Sequence, residues 1–141
     1  MPFVLDASIV GCWCFHDEHD ARADLAWDLL ESKGEDAVVP LHWWFEVRNV
    51  VLQAERRGRV TEDYTLKFLR GLERFAINLA ALPDQSAVFA LGRKYRLTFY
   101  DAAYLELAQR EGLALATLDE QIVRAARSEE VALVQAASDT I

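Results

Sequence analysis

Short β-rich apolar runs alternate with longer helical patterns along this chain, and that alternation restricts its fold more than any other feature. Phe3 to Leu5, Ala37 to Val39, Ile77 to Ala80, Leu113 to Ala116 and Val131 to Val134 each read as a strand with helical sequence before or after it. Strands separated by helices pair in parallel, and a parallel sheet is covered by helices on both faces. The expected class is therefore α/β. No Gly-, Pro- or Ser-rich linker, repeat or low-complexity stretch breaks the pattern, so residues 1–141 read as one domain. A chain of 141 residues buries roughly 70% of the surface its unfolded form exposes, enough for a core without disulfides or a structural metal.

The helix boundaries carry physical punctuation. Ser8 is placed to cap the helix after the first strand, and Leu25, Ala26, Leu29 and Leu30 form an apolar stripe on a helix reaching about Lys33, with Gly34 at its end. Pro40 closes the second strand. A helix from His42 to Arg57 stops at Gly58, and Thr61 caps the next, whose Tyr64, Phe68, Leu72 and Phe75 share a face. These two form a helical hairpin. Beyond Pro83 and Asp84 a helix carries Val88, Leu91 and Tyr95, Thr98 caps another from Phe99 to Glu111 that Gly112 ends, and Asp119 opens the last.

Charge and cysteine usage narrow the function classes. A net charge of −8 disfavours a broad basic nucleic-acid surface, yet it is what acids gathered around a metal would produce. Cys12 and Cys14 stand two apart, too close to bridge comfortably and outside the usual zinc spacing, and read as reduced thiols. The N-terminus has no basic region before its apolar run, and no stretch approaches the roughly 18 apolar residues of a membrane span. A soluble, cytoplasmic protein with no membrane partner is expected.

Asp6 follows the first strand, Glu46 lies in the first turns of the helix after strand two, Asp101 in the first turn after Thr98, and Asp119 just beyond the fourth strand. In an open parallel sheet the carboxyl ends of the strands and the helices starting there share a rim, and ligands bind at its switch point. Acids remote in sequence can meet there. Each also has an ordinary reading: Asp6 accepting bonds from the following turn, Asp101 as capping partner of Thr98, Asp119 as N-cap, Glu46 as a solvated helix residue. The apolar neighbours of Asp6 and Asp101 place both against the core, where unpaired carboxylates are costly. A cation resolves the repulsion, and hard carboxylate oxygens suit Mg²⁺ or Mn²⁺ rather than zinc, with a phosphodiester as the natural substrate.

Asp6-Ala-Ser8, the run PLHWWFEVRN from Pro40 through Glu46 to Asn49, Tyr100-Asp101-Ala-Ala-Tyr-Leu, and Leu115-Ala-Thr117-Leu-Asp119 are similar to the ordered motifs of PIN-domain ribonucleases. More narrowly, the chain resembles VapC-type toxins of toxin–antitoxin pairs, nearly end to end. The resemblance implies a three-layer α/β/α sandwich with a parallel central sheet and a Mg²⁺- or Mn²⁺-dependent endoribonuclease. It makes Asp6, Glu46, Asp101 and Asp119 the catalytic, metal-binding quartet, with Ser8, Asn49 and Thr117 as polar support. Asn49, three residues after Glu46 on a helix, either orients that carboxylate or touches RNA, or is a surface amide. Thr117 either bonds Asp119 or satisfies its own turn.

The resemblance further implies a cognate antitoxin and a homodimer. Physics supplies the sign of the antitoxin contact, since a carboxylate cleft attracts a basic C-terminal segment. The run from His16 to Asp20 reads as a solvated loop rather than a metal site, and His42 as packing on the adjacent tryptophans. Arg56, Arg57 and Arg59, and Arg93, Lys94 and Arg96, either offset helix dipoles or hold a phosphate backbone. The rival function is a catalytically inactive PIN-like binding module. A receiver-like phosphoacceptor domain is disfavoured, because Lys33, Lys67 and Lys94 are the chain's only lysines and none follows a late strand.

Overall fold

The computed structural model describes residues 1–136, so the last five positions of the 1–141 span lie outside the described residues. In chain order the elements are β1 (Phe3–Leu5), α1 (Ala7–Cys14), α2 (Ala21–Glu31), β2 (Ala37–Val39), α3 (Leu41–Arg56), α4 (Glu62–Leu72), β3 (Ile77–Leu79), α5 (Gln85–Tyr95), α6 (Phe99–Glu111), β4 (Ala114–Ala116) and α7 (Glu120–Ser128). The strands form one sheet in the order β3-β2-β1-β4, every pair parallel, with Phe3 opposite both Ala37 and Ala114. The chain thus walks outward from β1 to β3 and returns to the far side of β1.

Right-handed crossovers convert that reversal into layers. Helices α1 to α4 pack among themselves, and so do α5 to α7, which places the two groups on opposite faces of the sheet. This is the expected α/β sandwich. β1 is buried along its whole length because it has a strand on either side and helices above and below. β3, at the edge, is half exposed. α6 lies across β1 and β4 and is buried at every position from Ala102 to Ala108, so its sequence has little amphipathic contrast. Within that run Glu106 is 3% exposed, and its carboxylate accepts from Arg110 Nε at 3.0 Å and Nη2 at 3.1 Å.

The boundaries depart from the sequence expectations where pairing or capping decides them. Val131 to Val134 is not a full fifth strand. Leu115 N–H donates to the Ala132 carbonyl and Val134 N–H to the Leu115 carbonyl, which leaves a single parallel bridge between Leu115 and Leu133. Ser8 is not the cap of α1 but its second residue, and Asp6 occupies the N-cap position. α3 begins at Leu41, directly after Pro40, and ends at Arg56, while α2 ends at Glu31, two residues before Lys33. Thr61, Asp84, Thr98 and Asp119 cap their helices through side-chain oxygens, and Gly112 ends α6 in the left-handed conformation at φ 64°. No helix among the described residues is long and apolar enough to cross a membrane.

Candidate active site

The strand order puts the switch point between the carboxyl ends of β1 and β4. Asp6 directly follows β1, Thr117 and Asp119 follow β4, and α3 and α6 bring Glu46 and Asp101 to the same rim. The electrostatic coupling follows that placement: Asp6 feels Glu46 and Asp101, Glu46 feels Asp101, and Asp101 feels Asp119. All four acids therefore face one region from four different elements.

Asp6 is 4% exposed. Burial pushes its carboxyl up to about 6, against the pull of hydroxyl donors from Ser8 and Thr117, with the neighbouring acids adding to the rise. Both hydroxyls donate to the same oxygen, Oδ2, at 2.6 Å. Ser8 Oγ in turn accepts the Leu118 N–H at 2.9 Å, and Thr117 Oγ1 accepts the Asp119 N–H at 3.1 Å. The two hydroxyls thus link the loops after β1 and β4. Toward Asp119, Thr117 satisfies its own turn by accepting the backbone N–H, while its hydroxyl donates to Asp6 across the loops.

Glu46 stands on α3 with its side chain 37% exposed. Its Oε1 accepts from the hydroxyl of Tyr104 at 2.6 Å, and burial raises its carboxyl above the usual range. Asp101 is half-buried rather than set in the core as its neighbours suggested. Its carboxyl is raised by burial and then by Asp119, while a hydrogen bond with Thr98 opposes the rise. Its N–H donates to Thr98 Oγ1 at 3.1 Å, so the capping pair is real. Asp119 Oδ1 accepts the Gln121 and Ile122 N–H groups at 2.9 and 3.1 Å, so the ordinary N-cap role is also real.

A common pattern emerges in Asp6, Glu46 and Asp119. In each, hydrogen bonds fall on one carboxylate oxygen, and the other makes none with the described residues. No three acids, histidines or cysteines among the described residues converge into a ready-made cage. The oxygens left over on Asp6, Glu46 and Asp119 are hard donors, of the kind Mg²⁺ and Mn²⁺ take while keeping several waters.

Two residues that sequence reasoning did not assign to the site belong to its frame. Tyr104 is fully buried, and its place three residues after Asp101 on α6 is the signal in the sequence that could have found it. His42 packs on Tyr100 and Tyr104, with ring centroids at 5.3 and 5.1 Å, and not on the tryptophans. Its Nε2 donates to the Tyr100 carbonyl at 3.0 Å and lies 3.7 Å from Glu46 Oε1. Asn49 is exposed and makes no hydrogen bond with the described residues, so it does not orient Glu46.

The His16 to Asp20 run is structural. Asp17 and Glu18 hold Arg59, and Asp20 caps α2 through the Arg22 N–H. Arg59 also lies over the Phe15 ring, Lys94 pairs with Glu129, and Arg96 is the left-handed C-cap of α5. Arg56 and Arg57 are exposed beside the hairpin turn. Cys12 and Cys14 are free and buried.

A parallel sheet of this order covered by helices on both faces is an α/β sandwich with acids at its switch point, and the PIN domain family model matches residues 3–128. The chain belongs to the PIN-domain family, on its VapC-type ribonuclease branch. Ribonuclease VapC3 of Pyrobaculum aerophilum is 31% identical over 125 residues, covering 86% of this chain and 92% of that protein. Ribonuclease VapC3 of Mycobacterium tuberculosis is 34% identical over 86 residues, 61% of this chain and 62% of that protein. Among solved structures, PAE2754 from Pyrobaculum aerophilum aligns with a TM-score of 0.63 at 22% identity, over 89% of this chain and 84% of that one. VapC20 of Mycobacterium tuberculosis, a Sarcin-Ricin loop cleaving toxin, aligns with a TM-score of 0.58 at 15% identity, over 87% and 94%.

Proposed function

We propose that this chain is a Mg²⁺- or Mn²⁺-dependent endoribonuclease that acts in the cytoplasm as the toxin of a toxin–antitoxin pair. The observation that carries the proposal is the meeting of four acids from four elements at the switch point, with one oxygen tied and one left over in three of them. Asp6, Glu46, Asp101 and Asp119 would hold the ion. Such an ion, when bound, polarises a phosphoryl oxygen and lowers the pKa of a bound water. Ser8 and Thr117 fix Asp6 so that its unbonded oxygen faces a constant geometry. Asn49, exposed on α3, would contact RNA on this reading rather than support Glu46.

The test is an RNA cleavage assay with Mg²⁺ or Mn²⁺ on wild type and Asp101→Asn proteins. Cleavage by the wild type alone bears the proposal out. Equal cleavage by both removes the site, and no cleavage by either favours the inactive binding module.

For partners we propose a homodimer and an antitoxin with a basic C-terminal segment. An apolar groove of about 270 Å³ lies beside the acids, and Leu41, Phe45, Leu82, Phe99 and Tyr100 on its wall are exposed. A second copy would cover that surface, while an Arg or Lys of the antitoxin would enter the acidic cleft. Co-expression with the neighbouring reading frame, followed by size exclusion and the cleavage assay, tests both. A monomer whose activity the neighbour's product leaves unchanged refutes them.

A further inference from the structure

Glu46 differs from the other acids in a way that calls for an additional part. Asp6 and Asp119 have short side chains tied to hydroxyls and backbone N–H groups at the loop ends that carry them. Glu46 has one more rotatable bond, stands within a helix, and is 37% exposed. Left alone, such a side chain samples several rotamers, and confining it costs conformational entropy. The hydroxyl of Tyr104 is the one side-chain donor within 3.0 Å of it among the described residues.

We propose that Tyr104 is a positioning residue that holds Glu46 ready to ligate the metal. This rests on the metal-site reading given above. The Tyr104 ring is fully buried on α6, so its hydroxyl has a fixed location. The hydroxyl donates to Glu46 Oε1 at 2.6 Å. One oxygen atom therefore references Glu46, on α3, to the buried face of α6. With Oε1 occupied, Oε2 is the oxygen available to an ion. The His42 ring packs edge-on against Tyr104 with centroids 5.1 Å apart.

Outer hydrogen bonds to a metal-binding carboxylate are worth roughly 10- to 100-fold in metal affinity when removed. The experiment is a double-mutant cycle read by Mn²⁺ titration calorimetry on wild type, Tyr104→Phe, Glu46→Gln and the double variant, with a thermal melt of each metal-free protein. Tyr104→Phe is expected to weaken Mn²⁺ binding about 10-fold. In the Glu46→Gln background the same change is expected to weaken it less than about 2-fold, because the group it orients is gone. In cleavage, Tyr104→Phe should raise the Mn²⁺ concentration for half-maximal rate and leave the rate at saturating Mn²⁺ near wild type. Equal weakening in both backgrounds would mean that the hydroxyl acts through the fold, and unchanged binding in Tyr104→Phe would mean that it does nothing for the metal. Either result overturns the positioning role alone. A wild type that binds no Mn²⁺ overturns the metal site and this role with it.

Discussion

Asp6 concentrates the physical conflict of the site in one side chain. It is buried to 4% exposure and faces two further acids, so its carboxyl is pushed up to about 6 from an ordinary 3.8, against the opposing pull of the two hydroxyls that donate to one of its oxygens. A folded pKa above the unfolded one means that the folded state binds the proton more tightly. The associated stability is full below pH ~3.8 and is lost as pH rises through ~6, a swing of about 3 kcal/mol for two pKa units. Asp6→Asn keeps both hydroxyl bonds through its amide oxygen and removes the charge. In metal-free buffer it should therefore unfold at higher urea than wild type at pH 8, with the gap closing by pH 4. A gap that is constant with pH would show that Asp6 does not titrate in this range. Asp6 was legible in the sequence because a strand end fixes a residue's place at the rim. Tyr104 was not, because an aromatic on a buried helix looks the same whether or not its hydroxyl is put to use.

At the scale of elements, pattern reading succeeded where burial is one-sided and lost ground elsewhere. The alternation of strands and helices located all four strands of the sheet and the starts of α3, α6 and α7 to within a residue or two. Ser8 was misread as a cap because Ser is a good capping residue, whereas here its hydroxyl is committed to Asp6 and Leu118. The Val131 to Val134 run looked like a strand and makes one bridge, since β4 offers it only the Leu115 peptide. α6 gave no amphipathic signal because it is buried all round, and one of its buried groups is charged. Removing the partner of a buried carboxylate costs more than the pair contributes. Arg110→Ala should accordingly lower the unfolding free energy by roughly 3 kcal/mol. Adding Glu106→Gln should restore part of the loss, as urea denaturation would show. Equal losses in the single and double variants would mean that the cost comes from the lost arginine packing and not from the stranded carboxylate.

At the scale of the molecule, the metal site proposed above would link ion binding to folding. An ion that binds only the native state stabilises it by about 2.7 kcal/mol at 100 times its dissociation constant. For a domain of this size that is a rise in Tm of roughly 5–10 °C. Mg²⁺ or Mn²⁺ should raise the Tm of the wild type by that order and leave the Asp6→Asn, Asp101→Asn double variant nearly unmoved. Equal shifts in a thermal melt of the two proteins would move the ion to another surface.

The switch point has a consequence for the timing of synthesis. The four acids sit at positions 6, 46, 101 and 119, and Asp6 takes one of its two hydroxyl bonds from Thr117, beyond β4. β4 pairs with β1, the first strand made and the last to gain its neighbour. A nascent chain that stops short of β4 leaves that edge of β1 unpaired and Asp6 without Thr117, so the site proposed above cannot assemble until β4 and Asp119 have left the ribosome.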